Sequence, residues 1–326
     1  MAPENLQEQL VKYLTDAHSI EEQALAQLKT APKIAGDPQI AHVFSDHLVE
    51  TEAHERLVRE RLEALGAKPS KVKDLAGALT GKGFGAFAVA QPDTPGKLVV
   101  HAFSYEHMEE AAYDLLGRVA AQAGDEETVQ TARGIERQEQ GMGDRLAGCF
   151  DRAADAALRE LDPSDLQTQL DKYLADAHAI EAQSLQLLEK GPQLAGAGEL
   201  ATAYDDHRIE TQEHQRLIEA RLGARGDAPS TVKDAVLRLG ALNWGGFFRA
   251  QPDTPAKLAA FAYALEHLEI GSYEMLRRVA AKAGDEETVH VADAILIQEH
   301  TAADRIRSAF EVALDATLHE QGVAAR

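Results

Sequence analysis

The sequence predicts an all-α protein built as two tandem four-helix bundles. Three observations carry this expectation. A shift of 160 residues lays the chain on itself without gaps, so that LVKYLTDAHSIEEQ (10–23) meets LDKYLADAHAIEAQ (170–183), and 24 of 41 positions agree between 91–131 and 251–291. The composition is rich in Ala, Leu, Glu and Gln and only 5% aromatic, with apolar residues recurring every three or four positions, as in amphipathic helices. The repeat is also too long for a solenoid unit and suits a duplicated domain, with expected boundaries 1–160 and 161–326.

Each half reads as four helices: A over 4–30, B over 38–65, C over 95–122 and D over 126–157, with counterparts 160 residues later. Pro32, Gly36 and Pro38 punctuate the A–B connection. Gly124 stops helix C, and Asp125, Glu126 and Glu127 start helix D, where a capping carboxylate and first-turn acids suit the helix dipole. About 30 residues separate B from C, including GKGFGAFAVA and QPDTP. One long crossover between two helical hairpins is the ferritin-like arrangement, which an up-down-up-down bundle would not require.

Composition narrows the function. The balance of 33 basic against 54 acidic residues, a net charge of −21, disfavours nucleic acid and anionic membranes and favours a cation as partner. The single Cys149 excludes an internal disulfide and any Cys-based zinc or iron–sulfur site. No apolar run reaches the length of a spanning helix, and MAPENLQEQLVKYL lacks the basic and apolar regions of a signal peptide, so a soluble, cytoplasmic protein is expected.

The seams of the helices contain acids. The apolar series of helix A is Leu10, Leu14, Ala17, Glu21, Ala24, Leu28, and that of helix B is Ile40, Val43, His47, Glu50, His54, Leu57. Helix C gives Leu98, Ala102, Tyr105, Glu109, Ala112, Leu116, and helix D gives Ala132, Ile135, Glu139, Met142, Leu146. The second half repeats the pattern with Glu181, His207, Glu210, His214, Glu269 and Glu299. Counted from Gly36, Glu21 lies 15 residues before the turn and Glu50 14 after; counted from Gly124, Glu109 and Glu139 each lie 15 away. At about 1.5 Å per residue the four acids fall in one layer. Unpaired buried carboxylates are costly, and two divalent cations bridged by carboxylates, with imidazole as terminal ligand, would neutralise them. A lone seam Glu usually snorkels to water, so the inference rests on the coincidence of four acids and two histidines, kept twice.

With these residues in view, the chain resembles the YciE/YciF-type bacterial ferritin-like stress proteins. The matching stretches are DAHSIEEQ, HLVET, YEHMEEAAY and QEQGMGD, then DAHAIEAQ, HRIET, LEHLEIGSY and QEHTAAD, so the likeness covers each half. It implies a dimetal carboxylate centre, di-iron, in a general stress response. Carried over by position, the ligand candidates are Glu21, Glu50, Glu109 and Glu139 with Glu181, Glu210, Glu269 and Glu299, and Glu106 and Glu266 are second candidates on helix C. The chain departs from the usual Glu-x-x-His pattern: helix B has His47-x-x-Glu50-x-x-x-His54, and helix D has Met142 or Ala302 where a histidine would stand. Which helix B histidine binds stays open at this level. His107 and His267 lie next to the helix C acid, where they would face either the site or solvent, and His18 and His178 suit a supporting or a ligating role equally.

Other features read more plainly. Tyr113 and Tyr273 suit packing or a hydrogen bond to a ligand carboxylate. Asp144–Arg145 and Asp304–Arg305 suit surface or inter-helix ion pairs, and Met142 suits core filling. QPDTP suits a cap of helix C through Asp93 or Thr94, GKGFGAFAVA lacks phosphate-binding spacings, and Trp244 with Phe247 and Phe248 suits covering a bundle.

The expected function is therefore a stress protein with two divalent metals per half, iron first, with Mn or Zn also fitting. Dioxygen or peroxide would be the partner, Fe(II) oxidation or peroxide removal the chemistry. Glu50 and Glu139 are expected to bridge and Glu21 and Glu109 to be terminal. The alternative is a non-catalytic scaffold whose core is metal-stabilised or metal-free. Mineral storage fits less well, because fused bundles suggest an intramolecular pseudo-dimer, compatible with a homo-oligomer, rather than a cage.

Overall fold

A computed structural model describes residues 5–70, 94–195, 198–228 and 253–323. Helices are the regular secondary structure of these residues. In the first half they are α1 (Leu6–Leu28), α2 (Ala31–Ile34), α3 (Pro38–Ala64), α4 (Thr94–Ala123), α5 (Glu126–Ala147) and α6 (Phe150–Leu158). In the second half they are α7 (Pro163–Ala195), α8 (Glu199–Ala224), α9 (Thr254–Ala283), α10 (Glu286–Ser308) and α11 (Phe310–Glu320). By contacts the chain divides into two compact units, residues 1–157 with 318–326, and 158–317. Among the described residues no helix is long and apolar enough to cross a membrane.

Local chemistry fixes the helix ends. Asp37 accepts hydrogen bonds from the Gln39 and Ile40 amides at 2.8 and 3.2 Å, with Pro38 in the first turn of α3. Asp125 and Asp285 accept from the Thr128 and Thr288 amides at 3.1 and 3.0 Å, starting α5 and α10. Gly124 adopts φ 74°, which lets the Asp125 amide reach back to the Ala120 carbonyl at 2.9 Å and close α4.

Two helix breaks differ from the sequence expectation. Helix A of the first half stops at Leu28, where the Thr30 hydroxyl donates back to the Gln27 carbonyl at 2.9 Å and a short turn, α2, begins. In the second half Lys190, a good helix former, stands in place of Thr30, and α7 runs on through Pro192 to Ala195. Helix D divides after Ala147, and the new segment buries Phe150 edge-on against Phe103 at 5.4 Å, as Phe310 meets Tyr263 at 5.6 Å.

In the first half α1 packs on α3 and α4, while α5 packs on α4 and α3. Gly36, in the α1–α3 connection, lies so close to Pro95 that a Cβ there would come within 2.5 Å of its ring. At the other end Arg61, near the end of α3, reaches Asp125 at 2.9 Å and Thr128 at 3.0 Å in the α4–α5 turn. The start of α4 therefore sits at the opposite end of the bundle from the end of α3, and these two helices run parallel. The second half pairs its helices in the same way, with Arg221 on Asp285 and Thr288. The motif GKGFGAFAVA (81–90), Asp93, Trp244, Phe247 and Phe248 lie outside the described residues. Asp253 stands at the cap position of α9, but its side chain makes no capping hydrogen bond and instead lies 3.4 Å from Lys257.

The buried stripes decide which side chains meet inside. On α1 and α5 they coincide with the apolar series read from sequence: Leu10, Leu14, Ala17, Glu21 and Ala24, and Ala132, Ile135, Glu139, Met142 and Leu146. On α3 the stripe is Ile40, Phe44, His47, Thr51, His54, Val58 and Leu62: it keeps Ile40, His47 and His54 of the expected series but takes Phe44, Thr51 and Val58, each one residue later, in place of Val43, Glu50 and Leu57. Leu57 is 40% exposed, and Glu50 falls off the stripe while Thr51 occupies it. On α4 Glu106, Glu109 and Tyr113 all face inward.

Candidate metal centre

Four helices of the first half converge on one polar cluster in an otherwise apolar core. His47, Glu106, Glu109 and Glu139 each offer a ligand atom, all within 4.8 Å of one another and all buried. Glu21, His54 and Glu139 form a second such group. Glu139 belongs to both: its Oε1 lies 2.8 Å from His54 Nδ1 and its Oε2 3.5 Å from His47 Nε2. His47 Nε2 is also 3.1 Å from Glu106 Oε2, and His54 Nδ1 is 3.9 Å from Glu21 Oε1.

The second half repeats the constellation. His207, Glu266, Glu269 and Glu299 form one group and Glu181, His214 and Glu299 the other. Glu299 lies 2.9 Å from His214 and 3.5 Å from His207, and His207 Nε2 is 2.8 Å from Glu266.

Polar atoms are left unpartnered at the centre of each cluster. Both carboxylate oxygens of Glu109 and of Glu139, together with Glu21 Oε2, Glu106 Oε2, His47 Nε2 and His54 Nδ1, are buried without a hydrogen bond, and the same atoms recur in the second half. The short approaches above thus have ion-pair distances without hydrogen-bond angles. A buried carboxylate with neither hydrogen bond nor countercharge costs several kcal/mol, so the donor set fits a cation. Carboxylates with two imidazoles suit Fe, Mn or Zn.

Electrostatics follow the same geometry. Burial, reinforced by the nearby Glu139 charge, raises Glu21 to about 8, and burial raises Glu106 to about 7. Glu109, buried beside Glu139, Glu21 and Glu106, is held well above the carboxylate range, as is Glu269 in the second half. Burial alone would lower His47, but the surrounding Glu106, Glu50 and Glu139 outweigh it and raise the imidazole to about 11. His214 is raised to about 10 in the same way, burial being outweighed by Glu181 and Glu299. Glu21, Glu106 and Glu109 thus keep their protons to higher pH than an ordinary carboxylate.

The surrounding side chains orient the cluster. Tyr113 donates a short hydrogen bond to Glu21 Oε1, and Tyr273 donates to Glu181 at 2.5 Å. His54 Nε2 is 2.5 Å from Gln138 Oε1, with His214 and Gln298 at 2.6 Å, so this nitrogen donates and Nδ1 is left as a lone-pair donor toward the cluster in the neutral ring. His47 Nδ1 is 2.9 Å from Glu50 Oε2, which orients His47 Nε2 inward in the same manner. Gln138 was not legible as a functional residue, because glutamine beside a seam acid reads as an ordinary helix surface.

Not every sequence-predicted residue joins the cluster. Glu50 and Glu210 do not: their side chains are 31% and 24% exposed and lie against Arg145 and Arg305, at 2.5 and 3.2 Å. The one-residue shift of the α3 stripe turns Glu50 toward α5, where Arg145 and the His47 proton lower it to about 2. The expectation of Glu50 as a bridge thus gives way to Glu50 as the hydrogen-bond partner of His47. The same contact puts Arg145 in an inter-helix ion pair with Glu50. Glu106 and Glu266, the second candidates on helix C, stand inside the groups. His107 and His267 turn to the backbone, with Nδ1 donating to the Phe103 and Tyr263 carbonyls at 2.7 and 2.8 Å.

A family described as "Domain of unknown function (DUF892)" matches the chain at residues 5–159 and again at 165–319. No solved structure matches it. One match per half accounts for nearly the whole length, and the chain accordingly belongs to the DUF892 family, of which it carries two copies in tandem.

Proposed function

We propose that each half is a ferritin-like four-helix bundle holding a dinuclear, carboxylate-bridged metal centre, di-iron in the first instance, and that the protein acts in a cytoplasmic stress response by oxidising Fe(II) or removing peroxide. The observation that carries this reading is the position of Glu139, which directs one oxygen toward each histidine and belongs to both ligand groups. In this reading Glu139 would be shared by the two ions, His47 and Glu106 would hold one and Glu21 and His54 the other, and Glu109 would complete the set from α4. Glu299, His207, Glu266, Glu181, His214 and Glu269 do the same in the second half. The parallel α3 and α4, joined across the length of the bundle, support the ferritin-like topology, as does the resemblance of each half to YciE/YciF-type proteins.

The bound metals would supply electrons to dioxygen or peroxide. The chain's own residues do the rest: the carboxylates give up protons as metal enters, Gln138 and Glu50 fix the histidine tautomers, and Tyr113 holds Glu21 in place. The test is metal content after anaerobic Fe(II) loading, with oxidation followed on exposure to dioxygen. Wild-type chain is expected to retain both ions of each pair and turn over; Glu139→Gln with Glu299→Gln is expected to lose both. A folded wild type that holds no metal contradicts the proposal.

One observation favours a second reading, a non-catalytic scaffold. His47 and His54 lie close enough to the acids to compensate part of the buried charge without metal. In that case the double variant melts differently from wild type in chelator, but neither oxidises Fe(II).

A further inference from the structure

Outside the two clusters, one more set of metal-ligating side chains stands on the first half alone, among the described residues. His18 and Glu22 are four residues apart on α1 and share a face, and Glu55 comes from the facing helix α3. Their ligand atoms all lie within 4.8 Å of one another, His18 is buried, and the two acids are half-buried. His18 Nε2 is 3.0 Å from Glu55 Oε1. Glu22 has no hydrogen bond or ion pair among the described residues, although it stands beside a second carboxylate. Arg59 lies 3.6 Å from Glu55 Oε2 and is 45% exposed, so it screens one oxygen of Glu55 while the other faces His18.

The second half supplies a natural comparison. His178 is kept, but Ala182 and Gln215 stand where the first half has Glu22 and Glu55, and His178 turns instead to the exposed Glu219 at 3.1 Å. The dinuclear-type cluster is complete in both halves, whereas this outer group is complete in one. A histidine with one carboxylate on its own helix and one on the facing helix, in reach of water, has the chemistry of a single divalent-cation site.

We infer that His18, Glu22 and Glu55 form a third, mononuclear site for a first-row divalent cation such as Mn(II), Fe(II) or Zn(II), present in the first half and absent from the second. Glu22 and Glu55 directly follow Glu21 and His54 in sequence, and they are half-buried where those two are buried. The site stands independently of the dinuclear reading.

The test is a Mn(II) titration followed by electron paramagnetic resonance, comparing wild type with Glu22→Ala plus Glu55→Gln, which gives the first half the second half's residues. Isolated Mn(II) gives a six-line spectrum, whereas carboxylate-bridged pairs are exchange-coupled. The variant is expected to bind one isolated ion fewer per chain, with the coupled signal and far-ultraviolet dichroism unchanged. The same isolated-ion occupancy in both proteins would overturn the inference. If the coupled signal is missing from both proteins while the variant alone loses the isolated ion, the dinuclear reading fails and the third site stands.

Discussion

Glu139 Oε1 lies 2.8 Å from His54 Nδ1 while its other oxygen faces His47, so one carboxylate from α5 connects the two buried histidines of α3. No other residue of the first half belongs to both ligand groups, among the described residues. Loss of its charge should therefore be felt at both metal positions. Glu139→Gln is expected to empty the paired site of the first half and leave that of the second half loaded, read as the loss of one metal pair per chain.

Glu50 sets a contrast. It holds the His47 Nδ1 proton from outside the cluster and pairs with Arg145 at the surface. Glu50→Gln is expected to weaken metal binding about 10-fold, within the range for residues that orient a ligand. Stability should change by about 1 kcal/mol or less, since the pair is partly exposed. Competition against a chelator measures the first quantity; complete loss of metal would mean that Glu50 is itself a ligand.

The pH dependence has a definite sign. Glu21 and Glu106 are raised in the fold to about 8 and about 7, so the metal-free native state keeps protons that the unfolded chain releases near the ordinary carboxylate value of 4.5. Their contribution to stability is full below about pH 4.5 and is lost as pH rises to about 8. His47, raised to about 11, acts in the same direction from about pH 6.5 upward. Metal must displace these protons, so its affinity rises over the same range. The gap in Tm between loaded and metal-free protein is expected to widen from about pH 5 to about pH 8. A gap that narrows would show that the acids are not the groups metal binding deprotonates.

Much of this centre is legible in the sequence, and the missing part has a physical reason. On α5 the apolar residues flanking Glu139 (Ala132, Ile135 and Met142) occur singly, and the phase of the seam is unambiguous. On α3 Val43 adjoins Phe44 and Leu57 adjoins Val58, so two phases have similar hydrophobicity and only packing selects between them. That choice moves Glu50 out and Thr51 in. On α4 Glu106 and Glu109 are one turn apart and share a face, which makes each an inward candidate without showing that both are used. The Glu50–Arg145 pair joins residues 95 apart and has no local signature.

The polar tie at the end of the bundle predicts a stability effect separate from the metal. Arg61 is buried and bonds Asp125 and Thr128, joining the end of α3 to the α4–α5 turn. Arg61→Ala would leave Asp125 partly buried without its cation, at a cost of about 3 kcal/mol. Urea unfolding of the metal-free protein measures this, and metal stoichiometry of the folded variant should be unchanged.

Tyr113 donates to Glu21 from a fully buried position, and Tyr273 does the same for Glu181. Tyr113→Phe is expected to cost about 1 kcal/mol in the metal-free protein. It should also weaken first-half metal binding about 10-fold by freeing the Glu21 carboxylate. Calorimetric titration of the variant against wild type reads both halves separately if their affinities diverge.

The central claim is that each half holds two metal ions joined by a single helix carboxylate. Anomalous diffraction from crystals of the chain loaded anaerobically with Fe(II) tests it most directly. The account predicts a pair of peaks about 3.5–4 Å apart on either side of Glu139, and a second pair at Glu299. Ordered Glu139 and Glu299 side chains with no peak beside them, or with one ion each, would contradict it.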